Sequence, residues 1–273
     1  MENFIAKTTT FRDHSGCKCF LEEMQDGQKH VRKSYADHAK TDEKWDALCY
    51  LYNAGFNVPK PYKKDAQGMY MQYIDGGILW DNYQTADTAA QQELIRKFTK
   101  LLNELHNVTP KKTPPFDGFI QNELAEIKTI MVKKEIGRYW DIHKKLKTLS
   151  KTIEEQPLCY VHRDYHVWNV LMDSCQKLYL IDMELELGDY RFDVGWTYML
   201  QSRSAVHDSR HSDIAYAFLS EYFNIRPDAR KDIEFFMQLA NLRWLVNVEP
   251  ENKADKHWFP EMKAIAEKVM YSI

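Results

Sequence analysis

The segment from Leu158 to Met183 constrains the fold more than any other stretch of the chain. It contains short apolar runs, Leu158-Cys159-Tyr160-Val161, Val170-Leu171-Met172 and Leu178-Tyr179-Leu180-Ile181, divided by polar loops. Runs this short, bounded by turn formers, read as strands and not as helices. Between the first two lies the densest polar cluster, His162-Arg163-Asp164-Tyr165-His166-Val167-Trp168-Asn169, and the third run ends on Asp182. A strand that delivers the chain to a tight loop presents Asp164 to accept, or orient, the proton of a reacting hydroxyl. Asn169 can return to the same place with a neutral oxygen, and Asp182 adds a carboxylate. Hard oxygen donors of this kind suit Mg²⁺.

Blander readings stand beside this one. Asp and Asn commonly cap turns. On a helix, His162 and His166 would share a face and could bind zinc. No Glu follows His162, however, so the segment is not H-E-x-x-H. In a loop after a strand, His162 reads as a hydrogen-bonding brace, and His166 faces a ligand or packs.

The flanking sequence sets the fold class. Cys17 to Met24 and Lys29 to Tyr35 read as strands joined at Gln25-Asp26-Gly27-Gln28, an Asp-Gly hairpin signal. Residues 41–54 carry helical spacing through Trp45, Leu48, Leu51 and Tyr52, with Thr41 or Asp42 as the cap and Gly55 as the stop. A strand-like run, Gly68 to Ile74, closes on Asp75-Gly76-Gly77. Beyond it the texture turns helical, over 86–107, 120–150, 208–223, 229–247 and 260–271. The expectation is an α+β chain: a small antiparallel sheet with one helix over 1–75, then a mostly helical region over 76–273.

The net charge of -3 predicts no electrostatic grip on nucleic acid. The five cysteines are irregularly spaced without a C-x-x-C pair, which points to a reducing, cytoplasmic setting. The first ten residues do not read as a secretory leader, and no apolar window reaches the ~18 residues of a membrane span. Nothing in the pattern calls for an obligate protein partner.

The cluster His162 to Asn169 matches H-R-D-x-x-x-x-N, a kinase catalytic loop. With Ile181-Asp182-Met183-Glu184 and Gly188-Asp189-Tyr190-Arg191-Phe192-Asp193-Val194-Gly195, the stretch from Tyr160 to Leu200 resembles the aminoglycoside phosphotransferase / choline kinase family. The resemblance implies a two-lobed protein-kinase-like fold. It also implies transfer of the γ-phosphate of ATP or GTP to a hydroxyl of a small molecule: an antibiotic, an amino-alcohol or a sugar. Asp164 is then the catalytic base, and Asn169 and Asp182 bind Mg²⁺. Asp193 is similar to a buried aspartate that shapes the loop, and it also reads as the cap of the following helix. A protein substrate is disfavoured, because Met-Glu follows Asp182, no Lys lies two residues after Asp164, and no A-P-E motif follows.

For the nucleotide, Val31-Arg32-Lys33-Ser34-Tyr35 offers Lys33 to the phosphates, with Arg32 on the opposite, solvent face. Glu43 is the candidate helix partner of Lys33, with Asp46 as the alternative. No G-x-G-x-x-G is present; Ser15 and Gly16 lie in the turn that would cover the phosphates, or in a plain hairpin. Met71-Gln72-Tyr73-Ile74-Asp75-Gly76 resembles the lobe-linking segment, whose backbone at Gln72, Tyr73 and Ile74 would read the base. From residue 201 onward acidic and basic residues nearly balance, so no acidic site for a polycation is evident. Aromatic residues there and nearby (Trp140, Trp168, Trp196, Tyr198, Trp244, Trp258) are mostly core candidates. The alternative function is a catalytically idle nucleotide-binding relative with a structural role. Lys33, Asp164, Asn169 and Asp182 together argue against it.

Overall fold

The computed structural model describes residues 5–14, 16–111, 118–183, 186–249 and 259–271. The chain packs as two compact units. One holds residues 1–90 and 167–185, the other 91–166 and 186–273.

The first unit is built on a five-stranded antiparallel sheet, in spatial order β1-β2-β3-β5-β4. The strands are β1 (Ile5–His14), β2 (Cys17–Met24), β3 (Lys29–Tyr35), β4 (Pro61–Asp65) and β5 (Gly68–Gln72). The β2–β3 hairpin has the bounds that its sequence predicts. Gly27 takes the left-handed conformation (φ 83°), and the Gln28 N–H donates to Asp26 Oδ1 at 2.9 Å. Helix α1 (His38–Asn53) starts earlier than Thr41 or Asp42 would have it, because Asp37 is the cap and accepts the Ala39 N–H. Gly55 ends it at φ 77°, as expected, where a side chain would be strained. A short helix α2 (Leu79–Thr85) was not legible in the sequence.

The 75/76 boundary expected from sequence differs from the packing division, for a local reason. A two-stranded hairpin, β7 (Val170–Met172) and β8 (Leu178–Leu180), joins the first unit. The Met172 N–H donates to the Gly77 carbonyl, Ile78 bridges Leu171, and the Ser174 N–H donates to Asp75 Oδ1. Asp75-Gly76-Gly77 is therefore a seam within this unit.

The second unit is mainly helical: most of α3 (Thr88–His106), then α4 (Phe119–Lys133), α5 (Trp140–Leu149), α6 (Tyr190–Ser204), α7 (Arg210–Ile225), α8 (Ile233–Val248) and α9 (Phe259–Tyr271). Two short strands, β6 (Cys159–Val161) and β9 (Glu186–Gly188), pair antiparallel. The helical pattern over 120–150 divides into α4 and α5, with Glu135 in the left-handed region at φ 55°. Phe119, Ile120 and Leu124 of α4 pack with Phe192 of α6 and with Phe236 and Leu239 of α8. Helix α6 is buried on every side. Gly195 is what lets α8 approach it, since a Cβ there would lie 2.9 Å from the Met237 backbone nitrogen.

Candidate active site

In the first unit, strand alternation and register assemble a charged cluster. Lys33 and Tyr35 share one face of β3 and are both buried. Across the β2–β3 ladder, Cys19 stands opposite Lys33 and Cys17 opposite Tyr35. Lys33 is only 8% exposed, and its ammonium is hydrogen-bonded to the Asp182 carboxylate. Burial by itself would push this amine down; the Asp182 charge overrides it and holds Lys33 above its ordinary range. The Tyr35 hydroxyl approaches the same Asp182 oxygen at 3.5 Å.

The β7–β8 hairpin explains why Asp182 and Asn169 are neighbours. Val170 pairs with Leu180, so the residues just outside that pair meet at the same end. The Ile181 N–H donates to the Asn169 carbonyl at 3.0 Å. Asn169 is buried, and Asp182 sits at φ 66°, a left-handed conformation that aspartate tolerates better than most residues. A carboxamide oxygen and a carboxylate held at one hairpin end are hard donors and fit Mg²⁺.

The helix acid is corrected. Glu43 points to the exposed side of α1 and makes no ion pair among the described residues, and Asp46 is exposed as well. Thr41, Lys44, Leu48 and Leu51 form the buried stripe, and Lys44 donates from Nζ to the Asp182 carbonyl at 3.4 Å. Two ammonium groups thus bear on Asp182, one at its carboxylate and one at its backbone. Helical spacing could have found Lys44, since it keeps register with Leu48 and Leu51 while Glu43 does not.

Arg32 lies on the opposite face of β3 from Lys33, as alternation requires, but it is not simply solvated. Its Nε donates to buried Glu22 at 2.6 Å, and its guanidinium covers the Phe20 ring. Gly16 forms the β1–β2 turn at φ 74°, and its carbonyl accepts the Ala36 N–H. Ser15 lies outside the described residues. At the end of β5, the Gln72 N–H donates to the Lys60 carbonyl, so that donor is already used. The backbones of Tyr73 and Ile74 make no hydrogen bond among the described residues.

Gly68 fixes where Lys33 sits. At φ 136° it packs against β3 so closely that a Cβ would overlap the Lys33 carbonyl oxygen. Gly68→Ala is expected to displace β3 at Lys33 and cost about 1–3 kcal/mol. Chemical denaturation together with nucleotide titration would detect it; unchanged values for both would show that β5 simply shifts.

The second unit holds the loop that carries Asp164. Arg163 takes a left-handed conformation (φ 60°), so residues 162–166 are not a helix and His162 and His166 share no helical face. This removes the geometric basis of the zinc reading. His162 braces the loop, its Nδ1 accepting the Asp164 N–H at 3.2 Å. Asp164 is left with its side chain 62% exposed, 3.5 Å from His166 Nε2.

Asp193 organises this loop from beneath. It is fully buried and accepts the His162 N–H at 2.7 Å and the Arg163 N–H at 2.8 Å. His106 Nε2 lies 3.1 Å from the same carboxylate, and His106 Nδ1 lies 2.6 Å from the Tyr222 hydroxyl. A carboxylate only accepts, so Nε2 carries a proton toward Asp193. Burial pushes the Asp193 carboxyl up, but His106 and the loop amides outweigh it and hold it below the usual range. Asp189, not Asp193, caps α6. The Arg163 guanidinium is bonded to Glu123 and to Glu186, and the Tyr165 hydroxyl donates to the Phe98 carbonyl at 2.6 Å. These anchors were not visible in the sequence.

An antiparallel sheet with its lysine, followed by a mostly helical region carrying an aspartate loop, is the architecture of kinase-like proteins. The model of the phosphotransferase enzyme family (APH) matches residues 29–230, and the chain belongs to that family. It is a phosphotransferase by that membership. No curated protein sequence matches it. Among solved structures it is similar to ethanolamine kinase from Plasmodium vivax, at 14% identity and TM-score 0.70, over 97% of this chain and 82% of that one. It is similar to choline kinase LicA from Streptococcus pneumoniae, at 16% identity and TM-score 0.66, over 98% and 94%. It is also similar to APH(2")-IIa in a complex with streptomycin and ATP, at 14% identity and TM-score 0.63, over 97% and 92%. At these identities the likeness shows the fold alone.

Proposed function

We propose that the chain transfers the γ-phosphate of ATP or GTP to a hydroxyl of a small molecule. The observation that carries this is the Lys33–Asp182 pair at the end of the hairpin that also delivers Asn169. A buried ammonium paired with a left-handed aspartate, at the hairpin end that also carries an asparagine, supports a binding role. Phosphate and metal binding need these groups together.

In this reading residues 1–75 serve the nucleotide, and 76–273 supply the catalytic loop and hold the acceptor. Lys33 takes the α/β-phosphates, which compete with Asp182 for its ammonium. Lys44 holds the Asp182 backbone in place. Asn169 and Asp182 would hold Mg²⁺, which when bound neutralises charge on the phosphate oxygens. The backbone at Tyr73 and Ile74 offers unused donors and acceptors to the base. Asp164, exposed on a loop fixed by Asp193, accepts or orients the acceptor's hydroxyl proton. Little covalent chemistry is asked of the chain; positioning and electrostatics carry the rate. The five free cysteines suit a reducing cytoplasm.

The test is a coupled nucleotide-turnover screen against aminoglycosides, choline, ethanolamine, sugars and amino-alcohols. Turnover that depends on an acceptor and on Mg²⁺ is expected. Mg²⁺-dependent nucleotide binding without turnover on any hydroxyl would favour the idle, structural alternative instead.

A further inference from the structure

We infer that Cys17 is a site of reversible thiol oxidation by hydroperoxides, and that its oxidation and nucleotide at the neighbouring Lys33–Asp182 pair exclude each other. The second half rests on the kinase reading; the first does not.

The sheet of the first unit places this thiol. Cys17 and Cys19 are two residues apart on β2, so both stand on one face. The ladder to β3 sets Cys17 opposite Tyr35 and Cys19 opposite Lys33. Side chains directly opposed in an antiparallel pair have Cβ atoms about 4.5–5.5 Å apart. On this same face Lys33 bonds the Asp182 carboxylate, and the Tyr35 hydroxyl approaches it at 3.5 Å. Two ammonium groups flank the Tyr35 ring, Lys33 Nζ at 5.3 Å and Lys40 Nζ at 5.7 Å from its centre. Cys19 is buried, whereas Cys17, next to the Gly16 turn, is partly exposed and within reach of a small oxidant.

These surroundings favour the thiolate, which is the form that reacts. A hydrogen bond from the Cys19 thiol contributes most, and the Lys33 charge adds to it. Together they outweigh partial burial and the Asp182 charge, and draw Cys17 down to about 6. Cys19 is driven the other way and keeps its proton. Cys175 provides the contrast. It is exposed, but it follows Asp173, whose carboxylate accepts its N–H at 2.9 Å.

In the oxidation the Cys17 thiolate attacks one peroxide oxygen. An S–O bond forms as the O–O bond breaks, and the departing hydroxide takes a proton and leaves as water. Sulfur gives up two electrons, the peroxide gains them, and the product is a sulfenic acid. Cys19 is badly placed to resolve it, because two strand rises, ~6.8 Å between Cα atoms, is the upper end of what a disulfide spans. A small cellular thiol instead condenses with the sulfenic acid and releases water. A second such thiol then attacks the mixed disulfide, returning Cys17 as a thiol and carrying off the small disulfide. While it lasts, the added oxygen competes with phosphate for the Lys33 ammonium.

The experiment treats the full chain with hydrogen peroxide, traps sulfenic acid with dimedone, and locates it by mass spectrometry. Iodoacetamide labelling rates are measured at each cysteine in parallel. Cys17 is expected to label about tenfold faster than the more exposed Cys175, and to carry the dimedone. Cys19→Ala should slow Cys17 labelling, and Cys19→Ser, which keeps a donor, should not. Cys175 labelling first, or no dimedone on Cys17, overturns the inference. Mg-ATP should slow Cys17 labelling about tenfold and leave Cys175 unchanged. Peroxide should weaken nucleotide binding in wild type, reversibly with dithiothreitol, and not in Cys17→Ser. Nucleotide that binds by titration yet neither protects Cys17 nor responds to its oxidation overturns the exclusion. If no nucleotide binds while Cys17 still takes dimedone, the kinase reading fails and the oxidation site stands.

Discussion

Asp164→Asn is expected to lower kcat by about a hundredfold to ten-thousandfold, while nucleotide affinity stays at the wild-type value. The side chain is 62% exposed and lies 3.5 Å from His166 Nε2. The substitution removes one negative charge and changes almost nothing in shape. The fold should therefore be untouched, and thermal unfolding should coincide with wild type. What disappears is the proposed acceptor for the hydroxyl proton. A loss of that size is about 3–5 kcal/mol of barrier, attributable to chemistry because stability is constant. The check is steady-state kinetics with the best acceptor from the screen, beside nucleotide titration. Wild-type kcat in the variant would remove Asp164 from the mechanism.

The second large effect is on stability. Asp193→Ala is expected to cost about 3–5 kcal/mol, a sizeable share of the about 5–15 kcal/mol that holds a typical domain folded. The carboxylate is fully buried and serves the His162 and Arg163 N–H groups and His106. Without it these donors are stranded, and Arg163 loses what secures its left-handed backbone at φ 60°. The loop should loosen even where the fold survives, so kcat should fall as well. Asp193→Asn should lie between, since one amide oxygen cannot serve both N–H groups as a carboxylate does. Denaturant unfolding measures the first effect; an Asp193→Ala protein with wild-type midpoint and kcat would contradict it.

The pH dependence follows from the sign of the shift. The Asp193 carboxyl is held below its ordinary range in the folded chain. Above the unfolded value, about 3.9, its contribution is fully present. As pH falls through the lower folded value, the folded state must take up a proton and the contribution is lost. The stability difference between wild type and Asp193→Asn should therefore be constant near neutrality and shrink only in acid. A difference that grew as the solution was acidified would show another group in control.

Much of this was legible in the sequence because the signals are local. The β2–β3 hairpin follows from Asp26-Gly27, and the end of α1 from Gly55, since each needs a backbone conformation that glycine supplies. Alternation along β3 placed Lys33 and Arg32 on opposite faces. The loop His162 to Asn169 announced itself by residue type and spacing. The cap of α1 was misplaced because Asp37, Thr41 and Asp42 are all competent caps, and only the packed helix selects one.

The remainder was decided by contacts between residues far apart in the chain. Lys33 and Asp182 lie 149 residues apart, and nothing local to either predicts that they meet. Glu43 was chosen because the resemblance calls for a helix acid beside Lys33, whereas packing buries Lys44 in the α1 stripe and leaves Glu43 exposed. The charge of Asp193 is tolerable only because His106 and two loop amides converge on it from separate segments. Sequence determined which groups are proposed for the chemistry: Asp164, Asn169, Asp182 and Lys33. Tertiary structure decided which partners hold them, because burial makes a charge depend on the groups that surround it, and those are brought together by packing.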